Sequence, residues 1–295
     1  MHATKKAALL WSGGKDSALA LHHVRQSHPG LRLTKLVTCL SQAYDRVSMH
    51  GVRRRLIEAQ AGALDLPVDF VVIPHQDDPS CPMAHTVPGT SFPPNDTYTR
   101  TILEALQRLK GEEIEVIVFG DIFLEDLRAF RERLLNRAGL VGCYPLCGRD
   151  TTELYREFID LGFRAVTVCV DTQRLSAEHC GKLLTPTFHA SLPDGVDPCG
   201  ERGEYHSVTF DGPCFHRPVL FGLGEVHLHE PFAFQELYPG DHGEVAAETA
   251  VPSTAGPLPC SAISHAADDR ASRTTSKTLP ESRVGRGAGQ PVRYP

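Results

Sequence analysis

Apolar and polar positions follow two periods along this chain. Short unbroken apolar runs at Ala7–Trp11, Leu33–Leu40, Val68–Ile73 and Val116–Phe119 read as buried strands. Between them, apolar residues recur every three or four positions: Ala20, Leu21 and Val24; Val52, Leu56, Ala59 and Ala63; Ile102, Leu106 and Leu109; Leu127, Phe130, Leu134 and Ala138. That spacing predicts amphipathic helices, the first starting near Lys15. Strands alternating with helices predict the α/β class, a doubly wound parallel sheet with right-handed crossovers. In such sheets, ligands bind at the carboxyl ends of the strands.

The pattern changes around Gly139 to Leu146, where Pro145 breaks it. A second, smaller α+β unit is expected beyond, with a helix over Thr151 to Asp160 and a strand over Ala165 to Val170. Another strand runs through Tyr205 to Phe210, with His206, Val208 and Phe210 on one side and Tyr205, Ser207 and Thr209 on the other. Past Pro239 no periodicity persists, and the segment is too poor in apolar residues to offset its chain entropy. The expected organisation is therefore a first domain at 1–140, a second at 141–238 and a disordered tail at 239–295. The Pro- and His-rich stretch from Pro74 to Thr97 leaves the carboxyl end of a strand and is expected to be a lid.

Composition narrows the function classes. With 295 residues and 41% hydrophobic content, the chain can bury a core. A net charge of −6 speaks against an extended nucleic-acid surface. No run of about 18 apolar residues predicts a membrane span, and a structural strand follows the N-terminus too soon for a signal peptide. The cytoplasm is the expected compartment. Nine cysteines, an odd number, suit buried reduced thiols better than a disulfide framework. A zinc site from Cys143, Cys147, His179 and Cys180 would match no usual spacing.

The candidate chemistry starts at Ser12-Gly13-Gly14-Lys15-Asp16-Ser17, between the first strand and the first helix. A glycine turn entering a helix aims backbone N–H groups and the positive end of the helix dipole at one point, an anion site. Ser12 and Ser17 add hydroxyls, and Lys15 a mobile positive charge. Asp16 fits there if it holds a metal ion or fixes Lys15. Gly120-Asp121 ends the fourth strand and brings a carboxylate to the same crevice, unless Asp121 caps the next helix. The Arg53-Arg54-Arg55 run reads as a solvated helix face. In the second unit, Gly200-Glu201-Arg202-Gly203-Glu204-Tyr205-His206 clusters two carboxylates and an imidazole at a strand entry. Such a cluster can orient a base, bind ammonium or hold a metal, or it is simply a polar hairpin mouth.

The loop is not the common P-loop, G-x-x-x-x-G-K-[ST]. It resembles the PP-loop, S-G-G-x-D-S, of N-type ATP pyrophosphatases. Together with Phe119-Gly120-Asp121-Ile122, followed by Arg128 and Arg131, and with the Gly200–His206 motif, it resembles the diphthine–ammonia ligase family from about Lys6 to Phe215. The resemblance implies an adenine nucleotide alpha-hydrolase-like, Rossmann-like ATP-binding domain and an acceptor domain. It implies ATP and Mg2+ as cofactors, a small or protein-borne carboxylate substrate, and ammonia as nucleophile. Nucleotide contacts would come from Ser12, Gly13, Gly14, Lys15, Asp16, Ser17, Gly120 and Asp121, with Mg2+ on Asp16. Lys15, Asp16, Glu201 and Glu204 would be catalytic. Family members acting on diphthine carry Glu-Thr after the motif's aromatic residue, where this chain has His206-Ser207. Asp45-Arg46-Val47-Ser48-Met49-His50 and Asp211-Gly212-Pro213 resemble a subgroup with another acceptor, for which a role in cobalamin salvage has been suggested. A nucleotide-binding sensor without ligase activity is the alternative.

Overall fold

The computed structural model describes residues 4–47, 50–74, 96–123 and 125–240. Nearly all of the expected lid, and the tail beyond Gly240, lie outside the described residues. Everything described belongs to one compact unit, Met1–Pro252.

The first sheet follows from the apolar runs. Strand β1 (Lys5–Leu10) leads through the Ser12–Ser17 turn into helix α1 (Lys15–Ser27), then β2 (Leu31–Ser41). A two-residue strand β3 (Arg46–Val47) folds back on β2, followed by α2 (Arg54–Leu64) and β4 (Val68–Ile73). Helix α3 (Asp96–Gly111), β5 (Val116–Val118), α4 (Glu125–Ala138) and β6 (Val141–Cys143) complete it. β4, β2, β1, β5 and β6 run parallel in that spatial order. The chain passes from one side of β1 to the other between β4 and β5, so β1 and β5 flank the switch point where an α/β sheet opens a crevice. The Ser12–Ser17 loop leaves β1 there.

The second sheet is antiparallel. After α5 (Thr151–Asp160) come β7 (Arg164–Asp171), the short helix α6 (Pro186–Ala190), β8 (Tyr205–Asp211), β9 (Phe221–His229) and β10 (Phe232–Pro239). The strand order is β8-β7-β10-β9. β7 is an almost continuous buried run, as a central strand covered on both faces must be. Helix α5 is capped by Asp150, whose side chain accepts from the Glu153 N–H at 2.9 Å, a common N-cap device. The sequence signalled no element between Pro213 and Pro239, yet the hairpin of β9 and β10 occupies most of it. The reason is exposure: from Leu223 to His229, β9 faces solvent on both sides, so apolar alternation has no buried face to report.

The two sheets share one buried core. Trp11 and Leu21 of the first pack in the same cluster as Tyr155, Phe158, Val168 and Val208 of the second. A separate cluster fills the space between the first sheet and α3 and α4.

One expectation changes on contact with the fold. The Arg53–Arg55 run is not merely a solvated face: Arg53 pairs with Glu236 of β10 at 2.6 Å, as does Arg46, and Arg54 pairs with Asp45 and lies over the Phe70 ring. Helical spacing cannot show that a partner strand from far along the chain will meet that face. Among the described residues, no group of three or more His, Cys, Asp or Glu could hold a metal ion.

Candidate active site

The Ser12–Ser17 turn is built tightly. Gly13 has φ +83, and a Cβ there would stand 2.8 Å from both the Gln60 Oε1 and the Ile57 side chain. Only glycine meets both demands. Gly120, at the end of β5, comes so close that its Cβ would lie 2.9 Å from the Asp16 and Ser17 backbone. This places Gly120 against the first turn of α1, as the crevice reading requires. Ser12 and Ser17 hydroxyls face each other at 3.4 Å, and Ser17 also donates to the Gly14 carbonyl at 2.9 Å.

Edge strand β8 docks on this turn. Thr209 N–H donates to the Gly13 carbonyl at 2.8 Å, and the Lys15 N–H donates to Ser207 Oγ at 3.3 Å. Gln60, fully buried on α2, bridges the two sides. Its amide donates to the Gly13 carbonyl at 2.9 Å and the Thr209 carbonyl at 2.6 Å, and it accepts from the Trp11 indole at 2.9 Å. The open edge of the second sheet is thereby satisfied by the loop of the first.

Lys15 is not mobile. It is 4% exposed, its Nζ donates to Asp16 Oδ2 at 2.8 Å and to the Cys199 carbonyl, and it lies over the Tyr205 ring. Burial opposes its charge, but the Asp16 carboxylate, Cys199 and Glu201 outweigh burial and hold its pKa above the ordinary lysine value. Of the two roles expected for Asp16, fixing Lys15 is the one the geometry displays. Burial, partly offset by Lys15, moves Asp16 upward.

The acidic motif divides into two kinds of carboxylate. Glu204, 1% exposed, accepts from the Asp197 N–H at 3.2 Å and the Arg202 N–H at 3.0 Å. Both oxygens are engaged by its own loop, so Glu204 does not face the crevice. Glu201 does. Burial and then the Asp16 charge push its carboxyl up to about 8, while Ile122 offers a backbone hydrogen bond. Its Oε2 is buried without a partner. Asp197 organises the turn, accepting from Cys199 and Glu201 N–H groups and from the Thr151 hydroxyl.

Asp121 pairs with Arg131 of α4, whose guanidinium lies over Phe119. Because α4 starts at Glu125, Asp121 does not cap it. Arg128 lies over the Tyr144 ring and contacts Cys147 Sγ at 3.1 Å. The residues that motif reading passed over are Gln60 and Asp197. Gln60 did carry a signal, a polar residue inside the apolar stripe of α2. Asp197 stood in an Asp-Pro-Cys-Gly turn.

As a class, this is an α/β protein whose PP-loop at the sheet's switch point is closed by an acidic motif from a second, antiparallel sheet. Two family models match it: the diphthamide synthase N-terminal domain at residues 5–78 and the diphthamide synthase C-terminal domain at residues 150–233, together more than half of the chain. The chain belongs to the diphthine–ammonia ligase family. The diphthine–ammonia ligase of Homo sapiens is 28% identical over 247 residues, 78% of this chain and 87% of that protein. That of Danio rerio is 26% identical, over 76% and 89%. Among solved structures, a predicted subunit of tRNA methyltransferase from Methanocaldococcus jannaschii is 17% identical over 55% of this chain and 80% of its own, with a TM-score of 0.36. No helix among the described residues is long and apolar enough to cross a membrane.

Proposed function

We propose that this protein is an ATP-dependent carbon–nitrogen ligase that adenylates a carboxylate and passes the acyl group to ammonia. The observation that carries the reading is the convergence of Lys15, Asp16 and Glu201 in one buried cluster, joining the nucleotide loop to the acceptor motif. The first domain would bind ATP and the second would shape the acceptor side.

In this reading the carboxylate oxygen attacks the α-phosphorus in line, the bond to the β-phosphate oxygen breaks, and pyrophosphate leaves. The Ser12–Ser17 hydroxyls, the first turn of α1 and Lys15 stabilise the negative charge that gathers on the β- and γ-phosphates. Ammonia then attacks the acyl carbon, a C–N bond forms, and AMP leaves with the electrons of the C–O bond. Glu201, rather than Glu204, is the carboxyl placed to hold the nitrogen; raised to about 8 by burial and Asp16, it is free to accept a proton only toward alkaline pH. Glu204 holds the loop that presents Glu201.

The residues present fit a magnesium ion that arrives with nucleotide phosphates. Such ions take one or two protein carboxylates and otherwise phosphate and water oxygens, and Asp16 supplies a carboxylate beside the loop. Bound there, the ion would neutralise phosphate charge.

The acceptor is not assigned to diphthine. His206-Ser207 stands where the family's diphthine-acting members have Glu-Thr, which favours a different carboxylate. The deciding experiment measures AMP and pyrophosphate release from ATP across candidate acids, with and without ammonium. Acid-dependent AMP formation that needs ammonium for amide product supports the ligase. Nucleotide binding with no turnover under any acid would make the protein a nucleotide sensor instead.

A further inference from the structure

The second sheet has two edges, and the fold treats them differently. β8 ends on the Ser12–Ser17 loop through Thr209 and Gly13. β9 stands at the other end of the order β8-β7-β10-β9, and no described strand pairs with its outer side. From Leu223 to His229 it is exposed apart from half-buried Gly224. It contains neither lysine nor proline, residues that commonly blunt a free edge. Its register against β10 is irregular at Gly224-Glu225, which leaves Val226 to His229 as regular strand.

The apolar residues of β9 lie on the core face of the sheet. In the β9–β10 ladder Leu228 is opposite Ala233, Val226 opposite Gln235 and Leu223 opposite Leu237. Opposed residues share a face, and Ala233, Gln235 and Leu237 are all buried. Leu223, Val226 and Leu228 therefore continue the core face, yet they are 40%, 43% and 66% exposed. A core face that runs uncovered onto an unpaired edge is the form of a surface that a further strand extends.

The sequence of β9 selects the strand that fits. An antiparallel contact between two copies of one strand must be self-complementary about a twofold axis. Setting His227 opposite its own copy places Val226 against Leu228 of the second copy, twice. It also places Glu225 against His229, twice. Apolar meets apolar, acid meets imidazole, and no like charges are opposed. Registers shifted by two residues either way set Leu228 against Gly224, or Val226 against Glu230. A residue that faces its own copy suits either hydrogen-bond phase of an antiparallel ladder, so the outward backbone groups of β9 find partners in both.

We infer that β9 is the contact surface for a second copy of this chain, paired antiparallel about His227, so that two four-stranded sheets join edge to edge. The contact is short, below the roughly 1,600 Å² of a standard interface. The dimer is therefore reversible and depends on chain concentration. Nothing in it draws on the ligase reading.

Sedimentation velocity on the full chain, from low micromolar to submillimolar concentration, tests the surface. The wild type is expected to pass from monomer to dimer. Leu228→Lys is expected to stay monomeric over the same range, because each new lysine would stand against Val226 of the other copy. Leu228 is exposed, so its replacement leaves the fold intact. Oxidative crosslinking reads the register. His227→Cys should give a disulfide-linked dimer, since its Cα would meet its own copy within the bridging range of roughly 4.4–6.8 Å. His229→Cys, also exposed, would face Glu225 and should not crosslink above the wild-type background. Equal crosslinking of the two variants, or none in either, would overturn the inference. Hydrogen exchange of the β9 amides that do not bond β10 separates the other occupants. Protection that grows with chain concentration supports the second copy. Protection in a monomer at every concentration would give the edge to the chain's own residues beyond Gly240, and a monomer without protection would leave it to a different protein. Either outcome would sink the pairing of two copies.

Discussion

Thr209 of β8 donates its N–H to the Gly13 carbonyl at 2.8 Å, so the edge of the second sheet ends on the Ser12–Ser17 loop of the first. Through this pairing, the acceptor motif that opens β8 is held in register with the loop. In the proposed ligase, this shared backbone would give the two half-reactions a fixed geometry, which is what proximity catalysis needs.

Gly13→Ala tests that joint. Its φ of +83 strains any L side chain, and the added methyl meets Gln60 and Ile57 at 2.8 Å. The Gln60 bridge to Thr209 would have to give way. A loss of about 2–4 kcal/mol in chemical denaturation is expected, with nucleotide binding weakened in the fraction that folds. Wild-type stability would show that the loop relaxes freely and that the joint is loose.

Lys15→Ala should cost stability as well as nucleotide affinity. From the sequence alone, the lysine reads as a mobile positive charge at the loop. In the structure its ammonium is buried between Asp16 and the Cys199 carbonyl, and deleting it leaves the partly buried Asp16 carboxylate without its partner. Removing one partner of a buried pair costs about 3–5 kcal/mol. Denaturation midpoints of the two proteins without nucleotide decide the matter; coincident midpoints would return Lys15 to solvent.

The first sheet was legible because its signals are local. Each strand is a short apolar run, each helix keeps its 3.6 period, and Ser12–Ser17 sits between β1 and α1 as the pattern requires. What was not legible depends on meetings between distant segments. Nothing near Glu204 says that its oxygens will turn back to Asp197 and Arg202, so its equivalence with Glu201 looked natural. Nothing near Arg53 announces Glu236. His50 lies between the polar turn and α2, and its contact with the His206 ring appears only in the fold. β9 was missed for a different reason, because a strand exposed on both faces has no burial to impose a period.

Glu204→Gln should behave as a structural variant, unlike Glu201→Gln. Both Glu204 oxygens accept from N–H groups, and an amide NH2 in place of one oxygen sets donor against donor. About 1–3 kcal/mol of stability should go, and with it the order of the turn that carries Glu201. Measured together, stability and amide formation should fall in parallel. Intact stability with lost amide formation would mean that Glu204 acts on the reactants after all.

Glu201 carries a pH dependence whose sign can be worked out. Its carboxyl is raised by burial and by Asp16 to about 8, against an unfolded value near that of a free glutamate, about 4.3. Between those limits the folded chain holds a proton that the unfolded chain has released. Stability therefore falls as pH rises, by up to about 1.4 kcal/mol per unit, and levels off above the folded value. Asp16 moves in the same direction, so one variant must isolate Glu201. Glu201→Gln is nearly isosteric and does not titrate. From pH 6 to pH 8, the wild type should lose about 1–3 kcal/mol relative to this variant in urea denaturation. A parallel course of the two proteins across that range would show that Glu201 is ionised and solvated in the native state. The buried cluster with Lys15 and Asp16 would then not exist as drawn, and the proposed meeting of nucleotide loop and acceptor motif would lose its central contact.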